Sequence, residues 1–460
     1  MIRLATSFLR RLRRDQSGAV AVLVGVLIVV LVAFSAIVVD LGYLFYAQRT
    51  LQASADAAAL AGAQDLNVGT GGTAIGKAIA YSGVVGGYNA NPNLTVTMAS
   101  GYPRLKCLTS TNISCGGSDS ANAIVVVEQA TVPLYFARVL GINSWQIAAT
   151  ATASARGSVP RPLDVMIVLD TTASMSNTLD PSCGAGKYKI DCALLGIQTL
   201  LGGNNNPYGL LPCSATCGTV TNGNVADPID EVGLMVFPGL TNSSQAQYDY
   251  DCKTSPQPAI ASYKNSPVYK VISLSSDYRI SATTTTLATT SNLSKASAAP
   301  GCATGIQAIG GVGTFYADAI TAAQTELVNN GRSNIQKVII LLGDGDADAT
   351  SSNMPSGKAN NQCRQAITAA ATATAAGTWV YSIAYKALTS ATGSCASDSP
   401  RISACSTMQQ IASDPTKFYS DDIGTGCIST AHPSYTDLQT IFKDIVFSTT
   451  NARLLPDNTI

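Results

Sequence analysis

The first apolar stretch of the chain has no period at all: Ala19–Val39 runs for 21 residues without a charge. At 1.5 Å per helical residue, such a run crosses the roughly 30 Å hydrocarbon core of a bilayer. Helix-forming sequence continues past Tyr43 and Tyr46 into Leu51-Gln-Ala-Ser-Ala-Asp-Ala-Ala-Ala-Leu-Ala-Gly-Ala63. One helix over 19–64, about 70 Å long, is therefore expected. Beyond the break at Gly69-Thr-Gly-Gly72 the periods shorten. Residues 65–158 offer a weak helical patch at 74–81, strands at 94–98 and 123–129, a short helix at 131–140 and a closing strand at 145–155. They read as a small α+β region or as an irregular stalk. From residue 159 the pattern changes again. Val165–Leu169, Glu231–Phe237, Lys337–Leu342 and Thr378–Tyr385 are mostly continuous apolar runs, as in strands buried on both faces. They alternate with helical stretches at about 187–201, 315–329, 359–376 and 435–448. That alternation predicts a doubly wound α/β sheet over 159–450, leaving 451–460 as a tail.

Charge places the first helix. Arg3, Arg10, Arg11, Arg13 and Arg14 precede the apolar run against Asp15 alone. The positive-inside rule puts this stub, residues 1–18, in the cytoplasm and residues 40–460 on the far side. A cleaved signal peptide has the same order of features. Here the apolar stretch exceeds the usual length of roughly 7–15 residues and no clean A-x-A follows, which favours an uncleaved anchor. Lys plus Arg and Asp plus Glu both number 28, so no broad basic field exists for nucleic acid. Twelve cysteines, none in the first hundred residues and none in a C-x-x-C pair, suit disulfides in an oxidising compartment. Buried free thiols are the alternative. The one histidine, His432, excludes a histidine-rich zinc site, and beside Pro433 it reads as an exposed loop residue.

Arg14-Asp-Gln-Ser-Gly-Ala-Val-Ala-Val22, the apolar span, Val39-Asp40-Leu-Gly42 and the alanine-rich run to Ala63 resemble the N-terminal module of TadG-like Flp pilus-assembly proteins. The resemblance implies a single-pass bacterial inner-membrane protein of the tight-adherence system, with other pilus-assembly components as partners. A long helix carrying a small sheet on its distal half would be a pilin-like arrangement.

The C-terminal region carries a second pattern. Asp170 and Asp344 are each the first polar residue after a buried strand, where doubly wound sheets hold ligands. Asp170-Thr-Thr-Ala-Ser174 adds hydroxyls at Thr172 and Ser174. Carboxylates and hydroxyls are ligands for a hard cation such as Mg2+, with Mn2+ or Ca2+ as alternatives. Asp-x-Thr-x-Ser after one strand and Asp-Gly after a later one resemble the von Willebrand factor A (VWFA) fold and its metal-ion-dependent adhesion site. Carried over on that resemblance, the ligands are Asp170, Thr172, Ser174, Thr314 in Gly311-Val-Gly-Thr314, and Asp344. Thr172 replaces the usual serine, and Gly343 stands where threonine or serine usually precedes Asp-Gly. A degenerate domain that folds without an ion, its two aspartates bonded to loop backbone, is the other reading.

Surplus length lies at 176–229, 239–313 and 387–404, polar stretches that hold most of the cysteines. Pairs within these inserts are expected, such as Cys183 with Cys192 or Cys395 with Cys405. Cys107 and Cys115 bracket a loop that a disulfide could close. Several signals fail. Asp344-Gly-Asp-Ala-Asp348 lacks the glycine and glutamate of an EF-hand, and sits too late in the chain for a haloacid-dehalogenase phosphatase; Asp346 and Asp348 read as a solvated loop. Gly186-Lys187 and Gly357-Lys358 lack the Ser or Thr of a P-loop, so no nucleotide is expected. Ala366–Ala376 reads as a low-complexity surface helix. With no nucleophile–base pair visible, the expectation is a non-enzymatic, membrane-anchored protein that binds a partner through a metal. Its rival is a structural minor pilin-like subunit with a metal-free VWFA domain, in which Asp40 neutralises a neighbouring charge at the membrane edge.

Overall fold

The computed structural model describes residues 17–66, 73–108, 121–154, 162–206, 209–252, 260, 262–299, 301–302, 304–308, 310–343, 345–387, 389–390, 393–421, 426–432, 435–449 and 452–455. Residues 1–16 and Asp344 lie outside them.

The first helix, α1 (Ser17–Gln64), is continuous, and its stretch from Val22 is long and apolar enough to cross a membrane. Its distal half buries Ala47, Leu51, Ala55, Ala58, Ala59 and Ala63, one face at helical spacing. That face lies on α2 (Thr73–Ala80) and on an antiparallel sheet of β1 (Val96–Met98), β2 (Arg104–Lys106), β3 (Ala123–Pro133) and β4 (Ser144–Ser154). The side chains of Gln48 and Gln52 donate to the carbonyls of Ala148 and Thr150, 2.9 and 3.0 Å away, covering bare backbone on β4. The helix expected at 131–140 is replaced by strand: β3 pairs with β4 all the way to Pro133, and only Ala137–Leu140 forms a 3-10 turn. Pro133 is tolerated because β1 has already ended, at the pairing Val96–Ala130, so no partner on that side needs its missing N–H.

Next come β5 (Leu163–Asp170), α3 (Ala173–Asn177), α4 (Lys189–Leu200), a small ribbon of β6 (Val220–Thr221) and β7 (Asn224–Val225), and β8 (Asp230–Leu240). They are followed by α5 (Gln247–Tyr250), β9 (Val268–Ser275), α6 (Asn292–Ala296), α7 (Ala317–Asn329) and β10 (Gln336–Gly343). The domain closes with α8 (Gln362–Ala375), β11 (Trp379–Ala384), α9 (Ala404–Ile411), β12 (Phe418–Ser420) and α10 (Leu438–Thr449). The sheet order is β12-β11-β10-β5-β8-β9, all parallel except β9. Along β5 the side chains divide by parity: Val165, Ile167 and Leu169 join one core with α4 and α10, while Met166 and Val168 join another with α7, α8 and α9.

The stretch 239–313 is less of an insert than its polar composition suggests, since it supplies edge strand β9. The alanine-threonine helix lies at the surface with one face buried: Ala366, Ala370 and Ala373 are fully buried where α8 packs against α7, while Thr368, Ala371, Thr372 and Ala375 are exposed. At the other end of β5, Arg332 holds the buried Asp164 carboxylate at 2.6 Å and donates to the carbonyls of Leu163, Pro228 and Ile229. The expected tail contributes β13 (Arg453–Leu455), which pairs antiparallel with β4 and returns the chain to its first sheet.

Disulfides join Cys183–Cys192, Cys213–Cys217, Cys252–Cys302, Cys363–Cys395 and Cys405–Cys427. The first matches expectation. Cys395 and Cys405 do not pair with each other: Cys395 bonds Cys363 at the start of α8, and Cys405 bonds Cys427. Cys107 is also disulfide-bonded, and Cys115 lies outside the described residues.

Candidate metal centre

Strand β5 is buried along its whole length, and after the apolar run Val165–Leu169 it ends at Asp170. The strand order reverses beside it: the chain runs from β5 to β8 and β9 on one side, then crosses to β10 on the other. Doubly wound sheets open their ligand crevice at this switch point, at the carboxyl ends of the strands.

The Asp170 side chain is fully buried. Its Oδ1 accepts from the backbone N–H of Thr172 at 2.8 Å and from the Thr172 hydroxyl at 2.6 Å. Thr172 Oγ1 lies 2.9 Å from Ser174 Oγ, so the three oxygens form a connected row at the start of α3. Across the switch point, Leu169 pairs with Leu342, setting Gly343 next to Asp170. A Cβ on Gly343 would stand 3.4 Å from Asp170 Oδ2 and 3.2 Å from the Phe237 ring. The glycine that departs from the usual threonine or serine thus leaves room for the carboxylate and for Phe237.

Thr314 is buried in a loop that reaches the same corner. Gly310 donates its N–H to the Thr171 carbonyl at 3.3 Å, and the Thr314 carbonyl accepts from Asp348 N–H at 2.6 Å. Gly313 has φ near +98°, and a Cβ there would fall 1.8 Å from the Asp348 carbonyl oxygen, so only glycine fits. Loops 170–174, 310–314 and 345–348 are thereby locked together, bringing Asp170, Thr172 and Ser174 into contact and Thr314 onto an adjoining loop. Asp344 is outside the described residues. The donor set is all oxygen, which suits a hard cation.

Tyr263, from the stretch read as an insert, was not legible as part of this corner. Its hydroxyl donates to the Gly313 carbonyl at 3.0 Å. Burial pushes its pKa up, and the Asp170 charge pushes it further, so it stays a neutral donor. One aromatic in a polar stretch gives no periodic signal. Asp348 is exposed, as expected, but Asp346 is only partly so: its carboxylate accepts from the N–H groups of Ser394 and Cys395, at 3.0 and 2.8 Å, capping the turn Ser394–Ser397. Asp346, Cys363 and Cys395 bring potential ligand atoms within 4.8 Å of one another, but the two sulfurs are bonded together. That cluster is structural.

His432 is half-buried, not an exposed loop residue. It stacks on Tyr419 at 4.1 Å, with Nδ1 3.1 Å from the Asp444 carboxylate and Nε2 2.8 Å from the Thr416 carbonyl. Asp40 likewise has an internal role. Its carboxylate accepts from the backbone N–H groups of Tyr135, Phe136 and Ala137 at 2.7–3.0 Å, fastening α1 to the β3–β4 connection.

Residues 18–65 match the family model for Flp pilus-assembly TadE/G-like proteins, and residues 46–153 match that for Tad-like Flp pilus-assembly proteins. These matches associate the chain with Flp-type pilus assembly, and they end at residue 153. Among curated proteins none matches the chain. Among solved structures, the open conformation of the pilus adhesin SpaC from Lactobacillus rhamnosus GG aligns at 13% identity over 79% of this chain and 34% of that one, with a TM-score of 0.37. Proximal thread matrix protein 1 from the mussel byssus aligns at 12% identity over 63% and 48% of the two chains, with a TM-score of 0.32. The Streptococcus pneumoniae pilus adhesin RrgA aligns at 12% identity over 79% and 50%, with a TM-score of 0.30. The chain thus spans between a third and a half of those structures.

Proposed function

We propose that this is a non-enzymatic pilus-assembly protein, held in the bacterial inner membrane by α1 with its N-terminus cytoplasmic. Its outer domain is of the VWFA type and binds a protein partner, another component of the pilus system, through a divalent cation. The observation that carries the reading is the row of oxygens Asp170, Thr172 and Ser174 at the switch point of the sheet, with the Thr314 loop locked against it. The strand order, with its antiparallel edge β9, supports the fold assignment.

Asp170, Thr172, Ser174, Thr314 and Asp344 would hold the ion, which supplies a Lewis-acidic position for a carboxylate of the partner. Too few protein side chains are present to fill six positions, so the shell stays open to that carboxylate. The buried Asp170 contributes charge, and Thr172 fixes the orientation of that carboxylate through its N–H and hydroxyl. Phe237 and Tyr263 keep the floor of the site dry.

The test is capture of pilus-assembly components by the detergent-solubilised full chain, in Mg2+ and in chelator. Capture should be lost in chelator and in Asp170→Ala or Asp344→Ala, with the domain still folded. Capture that survives chelator and both substitutions favours the metal-free structural subunit instead.

A further inference from the structure

The connection between β3 and β4 together with the first two residues of β4, Leu134-Tyr-Phe-Ala-Arg-Val-Leu-Gly-Ile-Asn-Ser-Trp145, has one charged residue in twelve positions, Arg138. Beyond the buried Leu134, most of its apolar side chains point outward: Val139 and Leu140 are 85% and 83% exposed, and Phe136, Ile142 and Trp145 are about half exposed or more. They do not face open solvent on every side. A groove of about 740 Å3 separates the connection from α1, lined by Val29, Val32, Ile37, Phe136, Leu140 and Trp145. We propose that this connection is a second membrane contact, seated in the far-side leaflet beside the helix, with lipid acyl chains filling the groove. The proposal rests on α1 spanning the bilayer.

Three observations converge on lipid as the occupant. The first is position. Val32 lies eight residues before Asp40, about 12 Å along the helix axis, so a bilayer that takes in Ala19–Val39 also encloses whatever lies beside Val32. The second is backbone satisfaction, which hydrocarbon demands and water does not. The N–H groups of Tyr135, Phe136 and Ala137 end on the Asp40 carboxylate. Those of Leu134, Val139, Gly141 and Ile142 end on carbonyls of Asn143, Phe136, Arg138 and Ala137. The third is the rim. Tyr43 stacks with Tyr46 at 6.4 Å and meets Tyr135 edge-on at 5.5 Å, an aromatic cluster at the depth where tyrosine and tryptophan favour the interface. Arg138 is exposed and long enough to reach headgroup phosphates from that depth.

Trp145 provides the probe. In the full chain carrying Trp379→Phe it is the sole indole, and the protein is reconstituted into phosphatidylcholine–phosphatidylglycerol vesicles with bromine low on the acyl chains. An indole seated about 5–10 Å into the headgroup–acyl boundary should lose roughly half of its emission relative to unbrominated lipid. Val139→Asp with Leu140→Asp, at positions already exposed, should restore most of it. Unchanged Trp145 emission overturns the proposal. So does emission that responds to protein-to-lipid ratio but not to bromine, the behaviour of a groove filled by a second copy. Phe34→Trp, in a chain lacking both native tryptophans, separates the two levels. If it is quenched while Trp145 is not, only the membrane-seated connection fails; if it too escapes quenching, the spanning helix fails with it.

Discussion

The five-stranded sheet is covered by α1 through a face made largely of alanine, whereas the six-stranded sheet lies between helices on both sides and is built from valine, isoleucine and leucine. Small residues bring helix and sheet close, so the first module gains its packing from proximity and from a helix already ordered along its length. The second gains it from buried bulk. Cross-links follow the same division. Five described disulfides tie the loops and helix starts around the second sheet, while among the described residues of the first module Cys107 is the bonded cysteine. The module held by helix packing is the one matched by pilus-assembly family models, and the cross-linked one carries the candidate site on its loops. Rigid loops let a crevice be assembled from separate chain segments, as a binding site requires.

Reduction should break this comparison most sharply. Each disulfide removed from a native fold typically costs about 2–5 kcal/mol, so dithiothreitol should drive the domain of the six-stranded sheet toward unfolding while the helix-bearing module keeps most of its hydrogen-exchange protection. Equal loss in both would mean that β13 couples them into one cooperative unit. Next in size, Ala58→Leu should act on the other side. Ala58 is fully buried in the α1–sheet seam, and overpacking there should cost about 1–3 kcal/mol. Amide exchange should quicken in β3 and β4 and stay unchanged in β5 and β10.

The smallest effect is pH-dependent. Burial works against a charged His432, but the Asp444 carboxylate and the Thr416 carbonyl outweigh it and hold its pKa above the usual value. A raised histidine pKa adds stability that is fully present below the unfolded value of about 6.5 and is lost as pH rises through the folded value. Denaturant midpoints should fall across that window, and His432→Gln should remove the slope while leaving the first module untouched.

Much of this architecture is legible in sequence because it follows from burial alone. A chain buried on both faces cannot hide its strands, so β5, β8, β10 and β11 stand out as apolar runs, and the charge-free span before Asp40 marks α1. What escapes is set by partners distant in sequence. Strand β9 sits on an edge, inside a polar stretch. Strand β13 is three residues long and exists only because β4 offers a free edge. The roles of Asp40, Asp346 and His432 lie in backbone groups and rings supplied from elsewhere in the chain. At the candidate site, Asp170, Thr172 and Ser174 were readable because they follow one another at the end of a strand. Tyr263, arriving from another loop, was not.

The central claim is a cation held at the switch point, and direct binding tests it without knowledge of the partner. Mn2+ added to the detergent-solubilised full chain can be followed by the loss of the free-ion signal in electron paramagnetic resonance. The account predicts saturable binding that Mg2+ competes away and that Asp170→Ala abolishes with the fold intact. Absence of binding, or equal binding by wild type and Asp170→Ala, would contradict it.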